Sequence, residues 1–272
     1  VLDRDLGEID AERPTRARRN GNLDAVTIEG ATVRDIGDAT TSGWQFGIVA
    51  TAGLYGTIRD ATIHGRAATP FSAVAGTRGI LFRGNPETGS NNNGVPAGLV
   101  VDNLNMFFFE HGISLRNAFE LHVSASNLLA CNVGVYLDSQ YGHGRATIVD
   151  THLNCFSRGV LATGVTQVKV IDCLIYAIQT SSGFVGVLAD AASTILTLCR
   201  NTFQAFSGRA YGIWVEGGYA VISGNLFDQQ GTNMVVAITL AATSHHCNGS
   251  DNVFHGSFTA TIANSGTANT VS

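Results

Sequence analysis

One unit recurs along this chain: an apolar-x-x-x-polar-apolar stretch, a turn, then Gly-Ile-x-Leu or a close variant. Clear copies are residues 123–138 (VSASNLLACNVGVYLD), 148–163 (IVDTHLNCFSRGVLAT) and 198–216 (LCRNTFQAFSGRAYGIWVE). The apolar residue that closes the first stretch serves as a marker, giving Val33, Ile63, Met106, Leu128, Leu153, Ile175, Phe203, Phe227 and Phe254. Six of the eight intervals between markers fall between 22 and 28 residues. A fixed period of that size is the signature of stacked repeats. It accommodates three short strands and three turns, and is too short for a repeat of two full elements and a strand.

Neighbouring residues on a strand face opposite sides, so a unit repeated in one phase sends the same positions inward on every copy. One inward column stacks Phe203, Phe227 and Phe254, and the position two residues earlier stacks Asn201, Asn225 and Asn252. Equivalent residues on successive coils lie about 4.8 Å apart, close enough for like aromatics to stack and for side-chain amides to form a structural hydrogen-bonded ladder. The expected fold is all-β, a right-handed single-stranded parallel β-helix of about nine coils over residues 26–272, with residues 1–25 leading into it. A leucine-rich consensus is absent, and a β-sandwich would show hairpin turns every 8 to 12 residues with a varying pattern.

Composition removes several function classes. Charged residues make up only 14% of the chain, yet no run of 18 apolar residues exists, so no membrane insertion is expected and packing must cover the apolar side chains. A net charge of −5 argues against a nucleic-acid partner, because phosphate affinity comes from clustered Lys and Arg. The one basic cluster, Arg13, Arg16, Arg18 and Arg19, reads as a solvated terminal segment. Five cysteines (Cys131, Cys155, Cys173, Cys199, Cys247) are odd in number and lack paired C-x-x-C spacing, so they read as small buried residues. His245, His246 and Cys247 are adjacent on a strand and point to opposite faces, which disfavours a metal site. Neither a metal nor a cofactor is expected. The chain opens on Val without a visible signal peptide, as a processed or truncated piece of a longer chain would.

The Asn ladder, the stacked Phe residues and the repeated Gly-Ile-x-Leu strand resemble the parallel β-helix proteins of the pectate-lyase-like superfamily. That group includes pectate lyases, polygalacturonases, alginate epimerases and, most like this chain, bacteriophage tailspikes and tail fibres. The resemblance spans about residues 26 to 258. It implies the solenoid but no single activity, since all of these groups share the fold.

Sites on a solenoid lie on outward columns. The third position of the Gly-Ile-x-Leu strand gives Val49, Leu81, Ser114, Tyr136, Leu161, Leu188, Trp214 and Thr239, and the fifth gives Thr51, Arg83, Arg116, Asp138, Thr163, Asp190, Glu216 and Ala241. Leu81, Leu161 and Leu188 form an apolar stripe expected to be exposed on a monomer, and such a stripe marks either an interface or a place covered by a loop of the same chain. Asp190 and Glu216 on adjacent coils suit a carboxylate pair for glycoside hydrolysis, or else are solvated turn residues. Trp214, Tyr136 and Tyr211 offer flat platforms to sugar rings. Glu110-His111-Gly112-Ile113-Ser114 resembles the Gly-His-Gly-Ile-Ser stretch of polygalacturonases. The paired acids of those enzymes have no counterpart around Thr77 and Arg78. Glu110 and Asp138 form a second candidate acid/base pair. Arg78, Arg158 and Arg209 precede the Gly-Ile strands, where a lyase needs a cation against a uronate carboxylate. The acid cluster that Ca²⁺ requires is absent. Residues 83–98 (RGNPETGSNNNGVPAG) read as a projecting loop.

The resemblance and these columns together lead to an expected tailspike-like homotrimer on a virion tail that binds, and cleaves or merely recognises, a host surface polysaccharide such as capsule, exopolysaccharide or O-antigen. A secreted extracellular polysaccharide lyase, hydrolase or epimerase, and a non-catalytic adhesive solenoid, are the alternatives.

Overall fold

The computed structural model describes residues 9–10, 25–34, 46–51, 55–68, 72–83, 98–139, 144–178, 183–205, 210–230 and 234–272. Among these no helix occurs, and none therefore is long and apolar enough to cross a membrane. The basic cluster at 13–19, the insertion at 84–97 and Arg209 lie outside the described residues.

The chain is a parallel β-solenoid with three faces. The first face carries strands such as Glu120–Ser124, Arg145–Val149, Gln167–Ile171 and Ile195–Cys199. The second carries Asn105–Phe107, Leu174–Ala177, Thr202–Ala205 and Leu226–Gln229. The third carries Phe46–Thr51, the latter part of Ser72–Arg83, Phe109–Arg116 and Phe184–Ala189. Long strands such as Asn127–Asp138 and His152–Thr163 bend from the second face into the third. Among the described residues every strand ladder is parallel except a short antiparallel pairing of Ala67–Ala68 with the start of Ser72–Arg83. Ile9 and Asp10 pair with Ile48 and Val49 at the head of the third face.

The nine markers stand in a single file on the second face, each in register with the next from Val33–Ile63 through Phe227–Phe254. Complete coils number about six, fewer than the nine expected. The last rungs carry short strands, Asn248–Gly249 and Val253–His255.

The corner between the first and second faces explains why the chain returns in phase. Three residues before every marker the backbone turns through positive φ: Gly30, Asp60, Asn103, Ala125, Asp150, Asp172, Arg200, Gly224 and Asp251, at 46° to 67°. Gly, Asn and Asp enter this region most readily, which accounts for most of the file. The next residue turns inward. There Asn201 Nδ2 donates to Asn225 Oδ1 at 3.0 Å and to Val170 O at 2.8 Å, and Asn225 Nδ2 donates to Asn252 Oδ1 at 3.1 Å and to Leu198 O at 2.8 Å. The same amide oxygens accept backbone N–H groups from the coil before, Cys173 N to Asn201 and Asn201 N to Asn225, both at 3.0 Å. Nearer the N-terminus Ser126 takes over this duty, accepting from Leu104 N at 3.1 Å.

Beside the ladder, Phe203 and Phe227 stack with centroids 5.0 Å apart and planes 7° from parallel, and Phe227 and Phe254 follow at 5.3 Å and 12°. The repeated Gly has a steric cause. A Cβ on Gly186 would stand 2.6 Å from both Gly212 O and Phe203 Cδ1, so the strand that opens the third face can cross the marker side chain only without one. Cys131, Cys155, Cys173 and Cys247 are buried as expected, while Cys199 is half-buried on the outer side of the first face. Burial pushes the Cys131 and Cys173 thiols up to about 12, so neither is a nucleophile.

Asn225→Ala leaves several buried donors and acceptors without partners, at about 1–3 kcal/mol each, and should lower the denaturation midpoint markedly. Asn127→Ala removes only an outer-surface amide bond to Asn105 and should cost less than about 1 kcal/mol. Equal losses in chemical denaturation would show that the inner ladder does not hold the corner.

Candidate functional site

The outer columns of the third face lie in the expected register. Val49, Leu81, Ser114, Tyr136, Leu161, Leu188, Trp214 and Thr239 form one hydrogen-bonded file. Beside it run Phe46, Arg78, His111, Val133, Arg158, Val185 and Tyr211, and on the other side Thr51, Arg83, Arg116, Asp138 and Thr163.

Seven side chains of these columns gather on four successive rungs. Arg78 and His111 are register partners, and Arg78 lies 6.0 Å from the centroid of the Phe46 ring. The His111 ring packs on Tyr136, with centroids 4.6 Å apart. Arg116 Nε donates to Asp138 Oδ2 at 3.1 Å. Burial holds the His111 imidazole below its ordinary value, with the Arg78 and Arg116 charges acting the same way and Glu110 opposing them. His111 is therefore neutral near pH 7. Burial also raises Tyr136, helped by Asp138, whose carboxylate accepts the phenolic O–H. Arg78 Nε, His111 Nδ1 and Ser114 Oγ are all buried without a hydrogen-bond partner.

A second group sits further along the same face. Tyr211 and Trp214 meet edge to face at 5.1 Å, and Trp214 Nε1 and the neighbouring Thr239 Oγ1 are also buried and unpartnered. Tyr136 is three rungs from Trp214, about 14 Å, so it does not share their platform.

Other candidate residues have local structural duties. Asp190 lies beyond the last register pair of its strand, Ala189–Val215, and bends into a turn. Its Oδ1 accepts from Gly164 N, Ala192 N, Ser193 N and Ser193 Oγ at 2.9–3.2 Å. A carboxylate oxygen holding four donors closes a turn and is a poor nucleophile. Glu216 is half-buried, and its backbone oxygen accepts from Thr243 Oγ1 at a bulge between Val215 and Gly217. Glu110 reaches back toward the preceding coil, where Oε2 accepts Gly76 N, and so points away from Asp138. Arg158 spends Nη1 on Ser157 O, Ser157 Oγ and Gly183 O at 2.8–3.2 Å. The expectation of an exposed leucine stripe needs correcting at Leu81, which is 3% exposed within one chain. Leu161 and Leu188 are half-buried.

Sequence reading placed Arg83, Arg116 and Ser114 on the outward columns but gave them no binding role, because a single Arg or Ser on a strand does not by itself point to one. It also passed over a network on the second face. His255 Nδ1 lies 2.8 Å from Asp228 Oδ1, while Asp228 Oδ2 accepts from Gln230 at 2.8 Å and Gln204 at 3.4 Å. Asp228 and His255 each follow a Phe marker by one residue, which was a usable signal. A shallow cavity of about 330 Å³ opens at the corner between first and second faces, beside Ala125, Asn127, Asp150, His152 and Asp172. No group of three or more His, Cys, Asp or Glu able to hold a metal occurs among the described residues.

No protein-family model matches the chain, and no curated protein sequence matches it.

The hydrogen bond from His255, with those from Gln230 and Gln204, holds the Asp228 carboxyl below the usual range. A depressed folded value gives stability that is present above the ordinary Asp value of about 3.9 and is lost as pH falls below it. Asp228→Asn should therefore flatten the fall in stability below about pH 4. An acid limb as steep as that of the unaltered protein would count against this coupling.

Proposed function

We propose that this chain is a tailspike-like β-helix that binds a host cell-surface polysaccharide along its third face. The observation that carries this reading is the placement of five buried, unpartnered polar atoms on outer columns of that face: Arg78 Nε, His111 Nδ1, Ser114 Oγ, Trp214 Nε1 and Thr239 Oγ1. Buried polar groups are normally satisfied, and each orphan costs about 1–3 kcal/mol. Ser114 is the closed floor, while Arg78, His111, Tyr136 and Trp214 are half-buried and present their outer ends to solvent. From Ser114 to Trp214 is four rungs, about 19 Å, a span suited to a polymer with many hydroxyls and unsuited to one small molecule.

A homotrimer on a virion tail belongs to the same reading. The apolar surface that supports it lies on the first face, where Ile195, Tyr219 and Val221 are 43–45% exposed on adjacent rungs. Packing there leaves the third face open. A second reading, a monomeric secreted depolymerase, is favoured by the neutral His111 against protonated Tyr136, a base beside an acid.

The test is light scattering for mass, then binding to capsular and lipopolysaccharide glycans with assays for reducing ends and for unsaturated uronates. The expected result is a trimer that binds glycan, with binding weakened by Trp214→Ala. A stable monomer that releases ends would favour the secreted enzyme. A trimer that binds no glycan, in which Trp214→Ala alters only assembly, would leave an adhesive solenoid.

A further inference from the structure

The outer surface around Ser114 carries more positive charge than its neighbours can balance. Arg83 and Arg116 are direct register partners, and Arg78 stands two columns away on the same rung as Arg83. Like charges directly opposite one another on a sheet are destabilising, unless an anion lies between them. Two acids are close, but both are committed. Asp138 pairs with Arg116, and Glu110 closes the turn at Gly76. Among the described residues, Arg83 and Arg78 have no carboxylate within ion-pair distance. Arg83 is exposed, and Arg78 keeps a buried Nε without an acceptor, as Ser114 keeps an unpartnered hydroxyl on the next rung. This concentration of guanidinium groups stands out on a chain with a net charge of −5.

We propose that Arg83 and Arg116, with Arg78 further along the same face, present their guanidinium groups to successive anionic groups of the bound glycan, so that the glycan held on the third face is an acidic polysaccharide. This rests on the glycan-binding reading above and names the substrate class. A guanidinium presents planar paired donors that match a carboxylate or a sulfate, and both anions share that chemistry. Tyr136 and His111 supply the flat flank against which the sugar ring of the charged residue rests, while the Tyr211–Trp214 pair holds a further sugar of the same chain.

The test compares binding of polygalacturonate, dextran sulfate and neutral dextran to the intact protein by calorimetry at low and at physiological salt. Polygalacturonate or dextran sulfate should bind at least roughly tenfold more tightly than dextran, and more weakly as salt screens the charges. Arg83→Ala, at an exposed position that folding tolerates, should erase about tenfold of that preference, as should Arg78→Gln. Trp214→Ala should weaken all bound glycans alike. Tighter binding of polygalacturonate than of dextran sulfate identifies a carboxylate, and the reverse a sulfate. Equal binding of neutral and acidic polymers, with Arg83→Ala unchanged, would overturn the anionic subsite and leave glycan binding standing. Failure of all glycans, including those of the host surface, would instead remove the glycan reading and this inference with it.

Discussion

At one corner of each coil the backbone passes through a left-handed residue, and the side chain after it turns into the interior. That corner, together with the bonds that cross from one coil to the next, sets the phase of everything else. The ladder through Asn201, Asn225 and Asn252 satisfies backbone donors of the preceding coil and carbonyls of the first face at once. Because the corner is held in register, the marker two residues later lands above its predecessor, and Phe203, Phe227 and Phe254 stack. The Gly that opens the third face is then obligatory, since the stacked ring occupies the space of its Cβ. A local dihedral preference is thereby propagated into a long parallel core.

Much of this was legible because the repeat reports the same physical choice many times. The marker file, the Asn ladder, the Phe stack and the two outer columns up to Thr163 all appear in the predicted register. Legibility ended where the chain left its ladder. Asp190 has the right phase for an outward column, yet it sits past the last paired residue and folds into a turn. Glu110 misleads for a similar reason, since the strand is irregular between Phe109 and His111 and its side chain swings toward the earlier coil. The number of complete coils was overestimated because short terminal strands still carry a marker.

A division of labour among polar residues results. Those at a strand end or an irregular step, Asp190 and Glu110, satisfy backbone groups that the ladder leaves open. Those in mid-strand, where the backbone is already paired, keep side-chain donors and acceptors for something else. Arg78, His111, Ser114 and Trp214 are all of the second kind. The distinction depends on local pairing, which residue type alone does not reveal.

The separation of the arginine patch from the Tyr211–Trp214 pair has a bearing on how such a surface can change. Each coil contacts mainly its two neighbours, so the two groups are coupled only through the number of rungs between them. Removing one whole coil from that interval would bring them closer by a single strand spacing, about 4.8 Å, and adding one would part them by the same step. The solenoid is in this sense a ruler with fixed graduations. Duplication or loss of a repeat can retune the length of polymer it measures without altering any group that touches it.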